Sequence, residues 1–187
     1  MKKVFSVLFA LMMMAAALMV PVMSTAESTD SINVVQIDWS DTARDSMIAK
    51  GYDARWLDVT FGDGKTLKML VPEGYEMGTV TDEEKATGVV VVCENKNNGG
   101  VIKVKDSQYD AIENLIDFSQ KMQGEFGDVT TQYASINGNY AAINSSPSAD
   151  STNICFALGE HRFIEVLFSP VNGNNDLIPF IIAAIQF

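Results

Sequence analysis

Histidine, cysteine and positive charge are all scarce in this chain. Its 187 residues include one histidine, two cysteines and 13 basic side chains against 24 acidic ones. A lone histidine with Cys93 and Cys155, both in strand-like runs, does not supply a zinc set. No Gly-x-Ser-x-Gly elbow is present, and any serine triad would have to use His161. A glycine-rich phosphate loop and a twelve-residue calcium loop are also missing. A formal net charge of −11 repels phosphate backbones and anionic lipid, so neither nucleic acid nor a membrane surface is an expected partner. No cofactor and no metal is expected.

Cys155 and His161 share one short stretch, Asn153 to Phe163, which raises the question of a thiol–imidazole pair. The alternation of "NICFAL" and "FIEVLF" around Gly159-Glu160-His161 predicts a β-hairpin instead. With Gly159-Glu160 as the turn, Cys155 pairs with Ile164. Its thiol then lies about 10 Å from the imidazole and points to the other face. Thiolate activation needs hydrogen-bond reach, so His161 is expected to be an exposed turn residue.

What the chain does have begins at its start. Lys2 and Lys3 precede an apolar run from Val4 to Val20, and Ser24-Thr25-Ala26 supplies small residues at −3 and −1. This pattern predicts a secretory signal over residues 1–26, cleaved before Glu27. The minority alternative is an uncleaved N-terminal anchor, because the run approaches the length that spans a bilayer. Cleavage removes two lysines and no acid, taking the net charge to about −13. Residues 27–54 read as a polar lead with the short strand "INVVQI" and a short surface helix capped by Asp38 or Ser40. Residues 55–187 read as a single α+β domain.

In that domain "RWLDVTF" and "KTLKMLV" alternate around the turn "GDG", with Leu57, Val59, Phe61, Leu67, Met69 and Val71 facing inward. Thr81 and Glu84 form a capping box for one helical turn. Asn137-Gly138 marks a two-residue hairpin. A helix is expected from Ser107 to Gly124, and a second, apolar on nearly all sides, from Asp176 through Phe187. Val89–Cys93 and Ile154–Leu158 are apolar at consecutive positions, which predicts two central strands shielded on both faces. The expected architecture is therefore a mostly antiparallel sheet covered by helices on both faces, a three-layer α/β/α sandwich.

Cys93 and Cys155 would then be neighbours in the middle of an exported sheet, either joined as a disulfide or left as two reduced apolar thiols. Trp39 and Trp56 are the candidate contact aromatics, since Trp56 falls on the polar face of its strand. Core packing is the alternative for both.

The run of "TLKMLVPEGYEM", "INGNYAAIN", "FIEVLFSP" and "IPFIIAAIQF" resembles the PsbP-like fold of photosystem II extrinsic subunits and Ran-binding Mog proteins. It looks closest to small exported bacterial proteins that share this layout. The resemblance covers roughly Trp56 to Phe187 and implies the three-layer sandwich. It carries over no catalytic or binding residue. Together these features imply a secreted, non-catalytic domain that binds a macromolecular or cell-envelope partner. The alternatives are a carrier of a small apolar ligand and a carboxylate-based hydrolase.

Overall fold

The computed structural model describes residues 32–169 and 176–187. The expected leader over 1–26, the polar lead as far as residue 31 and the stretch 170–175 lie outside the described residues. In chain order the elements are β1 (Val34–Ile37), α1 (Asp41–Ala49), β2 (Ala54–Thr60), β3 (Thr66–Pro72), β4 (Glu76–Met77), α2 (Asp82–Ala86) and β5 (Val89–Asn95). They continue with β6 (Gly100–Gln108), α3 (Leu115–Phe126), β7 (Thr130–Ile136), β8 (Asn139–Ser146), β9 (Ser151–Gly159), β10 (Arg162–Ser169) and α4 (Ile178–Ala183). No helix among the described residues is long and apolar enough to cross a membrane.

Eight strands make one sheet in the order β1-β7-β8-β9-β10-β6-β5-β4, while β2 and β3 form a separate hairpin. The sheet is mixed, because β1 lies parallel to β7 and the other neighbours are antiparallel. The Asn137-Gly138 turn forms as its residue types demand. Both residues have positive φ, 47° and 84°, the geometry that matches a tight hairpin to strand twist. The Thr81 capping box is also present, with Glu84 closing back on the Thr81 N–H.

The three-layer α/β/α expectation is not met. One face of the sheet carries Ile102, Val104, Ile154, Phe156, Ile164 and Val166, which share a buried cluster with the inner face of the β2–β3 hairpin and with α4. The main cover of that face is thus a second, two-stranded sheet, joined by two short helices. The physical reason lies in the hairpin's own alternation. Val59, Leu67, Met69 and Val71 form an apolar face that needs a partner, and the large sheet supplies one. Among the described residues the opposite face is covered mainly by α3, through Phe118 and Met122 against Cys155 and Phe163.

Three further expectations change. The helix foreseen from Ser107 begins at Leu115, because β6 keeps its pairing through Gln108 opposite Arg162 and the cap is Asn114, not Ser107. The terminal helix stops at Ala183. Beyond it, Gln186 exchanges backbone hydrogen bonds with Lys68 on the open edge of β3. Finally, Val89–Cys93 is not a central strand. It lies next to the rim, bordered only by the two-residue β4, and its Val90 is 41 % exposed. In β9 the dry-centre expectation holds for Ile154–Phe156 and fails at the end of the run, where Ala157 is exposed and Leu158 half-buried.

Candidate functional site

Strand β10 places a charge where its sequence neighbours are apolar. Phe163, Glu165 and Leu167 share the α3-side face, so period-two alternation drives the Glu165 carboxylate into the sheet's interior. Glu165 is 3 % exposed. Burial of a carboxylate requires partners, and three meet it. Tyr109 Oη donates to Oε1 at 2.9 Å, Asn153 Nδ2 donates to Oε2 at 2.8 Å, and Lys105 Nζ stands 3.5 Å from Oε1. Lys105 lies directly opposite Glu165 across β6 and β10, and Asn153 comes from β9.

Burial alone would raise the Glu165 pKa. The Lys105 charge and the hydrogen bonds from Ser107, Asn153 and Tyr109 outweigh it and hold the carboxyl below its ordinary value. Ser107 Oγ is close enough to contribute to that shift but makes no well-aligned hydrogen bond. The same burial, with the Glu165 charge second, pushes the Tyr109 phenol up. The group is therefore an anion with a fixed proton donor and a fixed cation.

A second clamp stands on the opposite face of the sheet, the one roofed by the β2–β3 hairpin. Arg162 Nε and Nη2 donate to the two carboxylate oxygens of Asp106 at 2.9 and 2.8 Å, and Nη1 donates to Asp63 at the tip of the β2–β3 hairpin. These hydrogen bonds raise the Arg162 pKa and lower that of Asp63. A mostly polar cleft of about 700 Å³ opens at the end of β6, bordered by Asp63, Lys85, Lys105, Asp106, Tyr109 and Arg162. It exists because β6 outruns β5. Lys105 is the last β6 residue with a β5 partner and the Asp106 N–H still bonds the Gly88 carbonyl, so residues 107–108 form the open edge.

The residues singled out in the sequence lie elsewhere. Trp39 and Trp56 meet edge to face, ring centroids 5.9 Å apart at 85°, and the Lys68 ammonium sits 4.8 Å above the Trp56 ring. Trp39 is half-buried and Trp56 is 41 % exposed. Cys93 and Cys155 are both free and buried. They belong to different core clusters on opposite faces of the sheet. The strands β6 and β10 separate them, a spacing of about 14 Å that no disulfide spans. Burial pushes both thiols up.

His161 is a turn residue with φ 63°, and the turn is Glu160-His161 between the paired Gly159 and Arg162. Cys155 consequently faces Glu165 and not Ile164. The imidazole Nδ1 lies 3.0 Å from the Ile112 carbonyl.

Sequence reasoning missed Glu165, Lys105, Asn153 and Arg162. The signal available was a lone acid at an inward position of "FIEVLF", matched by the alternating lysines of "VIKVK". No group of three histidine, cysteine or acidic side chains suited to a metal occurs among the described residues. No family model matches this chain, and no curated protein matches it.

Proposed function

We propose that this chain is an exported, non-catalytic domain that binds a macromolecular or cell-envelope partner through the Trp39–Trp56 face. The observation that carries the reading is the pairing of the two tryptophans. They come from different segments, one entering α1 and one in β2, and together they present a half-exposed indole capped by a lysine. Aromatic anchors flanked by a cation combine large contact area with a polar handle, which is the usual composition of binding hot spots.

The chemistry of the described residues favours this reading over carboxylate hydrolysis. A general acid needs a raised carboxyl pKa, whereas Asp63, Glu84, Asp128 and Glu165 are all lowered. An apolar carrier is disfavoured because the α4 side chains Ile178, Phe180, Ile181 and Ile182 are buried in the core cluster shared with β3 and the sheet.

The test uses the fact that the chain has only these two tryptophans. Titration with a cell-envelope preparation should shift the indole emission and pellet the protein with the envelope. Trp56→Ala should lower the bound fraction about tenfold, a typical hot-spot loss. Binding that leaves the emission unchanged and survives Trp56→Ala would remove this face from the proposal.

A further inference from the structure

The cleft beside Arg162 has the construction of a binding site and is distinct from the tryptophan face. Its charged groups are already neutralised. Arg162 is held by Asp106 and Asp63, Lys105 by Glu165, and Lys85 by Asp82 at 3.0 Å. Each of the three cations thus has its own carboxylate partner, and Arg162 has two.

An anionic ligand would have to displace a carboxylate from each cation it approached, inside a chain of net charge −11. A cation would meet three positive side chains. An apolar ligand would strip water from a lining that is mainly polar. What remains unsatisfied is hydrogen-bonding capacity on groups whose charges are already paired. An ammonium has three donors and a carboxylate about four acceptor sites, so each clamp keeps spare valences.

The backbone adds to this capacity. Asp106 donates its N–H to the Gly88 carbonyl, on the β5 side of β6. Alternation then turns the Gln108 N–H and C=O to the same side, where β5 no longer runs. A peptide strand adds to open edges of this kind, but an overhang of two residues is short for a strand.

We infer that this cleft binds a neutral, polyhydroxylated ligand of one or two sugar units. Each hydroxyl both donates and accepts, which suits a cleft flanked by the Lys105 ammonium on one side and the Arg162–Asp106 fork on the other. Both clamps are fixed before binding, Arg162 by a fork on Asp106 and Lys105 by a buried acid, so little ordering is lost on association. The volume lies in the range of small-molecule sites.

The experiment is an amide NMR titration of the full chain with maltose and with N,N′-diacetylchitobiose, inorganic phosphate and triglycine serving as controls. Either sugar should shift the Gly88, Ser107 and Gln108 amides with a Kd of about 1 mM or tighter, leaving the indole N–H signals in place. Lys105→Met should weaken binding at least about tenfold. Because that variant strips Glu165 of its cation, Gln108→Ala serves as the second variant: it removes an exposed side-chain amide that lines the cleft and keeps the backbone, with an expected loss of about fivefold. Saturation by phosphate or triglycine with no response to either sugar overturns the inference, as do sugar shifts confined to another surface. The tryptophan face and the cleft are read by separate signals, so either proposal can fail alone.

Discussion

The side-chain amide of Asn137 reaches the backbone of Trp39, 98 residues away, and accepts its N–H at 2.8 Å. The same amide donates to the carbonyls of Ala183 and Ile185, each at 2.7 Å. One turn residue therefore ties the β7–β8 hairpin to the end of α4 and to the segment that carries the tryptophan face. It does so from φ 47°, which asparagine tolerates better than most residues. Asn137→Ala should cost about 3 kcal/mol, combining three lost hydrogen bonds with left-handed strain. Asn137→Gly should cost about 1 kcal/mol less, since it removes only the bonds. Urea midpoints measure both, and equal midpoints for wild type and Asn137→Gly would show that the amide clamps nothing.

Much of this local structure was legible, and what failed has a common cause. The Asn137-Gly138 turn, the Thr81–Glu84 box and the Leu57/Val59 alternation depend on neighbours within a few residues, and they appear as read. The cover of the sheet depends on which apolar faces meet, and periodicity does not encode that. The β2–β3 hairpin displays the same alternation whether it joins the main sheet or roofs it. Consecutive valines in β5 suggested two dry faces, yet Val90 is exposed because its strand lies near the rim. Glu165 escaped notice for a related reason. Its burial follows from Tyr109 and Lys105, more than fifty residues earlier in the chain.

Cys93 and Cys155 should be recovered as thiols. Alkylation of the denatured protein without reductant should label both, while the folded protein should resist labelling because both are buried and protonated. Mass spectrometry of the intact chain reads the result. A species two hydrogens lighter and refractory to alkylation would require the sheet order to be wrong.

Gly88 forms the wall where α2 meets the cleft, with φ 85° and the Asp106 carbonyl 2.5 Å from where a Cβ would stand. Gly127, the C-cap of α3, has nearly the same φ, 76°, but nothing within 4 Å. Gly127→Ala should cost about 1 kcal/mol from backbone strain alone. Gly88→Ala should cost about 2–4 kcal/mol, because a backbone carbonyl cannot swing aside. The difference between the two urea midpoints isolates the close contact, and its absence would show that β6 and the α2 exit are not packed this tightly.

Acid should destabilise the fold. Glu84 is lowered to about 2 by the hydrogen bond from Lys103 and then by the Thr81 N–H. Asp63, Asp128 and Glu165 are lowered as well. A carboxyl whose folded pKa lies below its unfolded value stabilises the native state above the unfolded pKa. That contribution is lost as pH falls through the folded one. The urea midpoint should therefore hold steady down to about pH 5 and decline from about pH 4.5 towards pH 2. A midpoint that rose on acidification would mean that these carboxylates are strained in the fold.

Glu165→Gln separates the charge of this site from its hydrogen bonds. The substituted amide still accepts from Tyr109, and Asn153 can turn its Oδ1, which has no partner at present, towards the new amide N–H. Lys105 loses its counter-ion but is partly exposed, so water can take over. The expected cost is about 1–2 kcal/mol, against about 3–5 kcal/mol for Glu165→Ala, which leaves the pocket polar and unfilled. The acid limb offers a second readout, since removing one lowered carboxyl should flatten the midpoint's decline below about pH 4.5. In a double-mutant cycle, adding Lys105→Met to Glu165→Met should cost less than the sum of the two single changes, because an apolar pair no longer leaves a buried charge alone. Strict additivity, with an unaltered acid limb in Glu165→Gln, would mean that Lys105 and Glu165 stand close together without acting on each other.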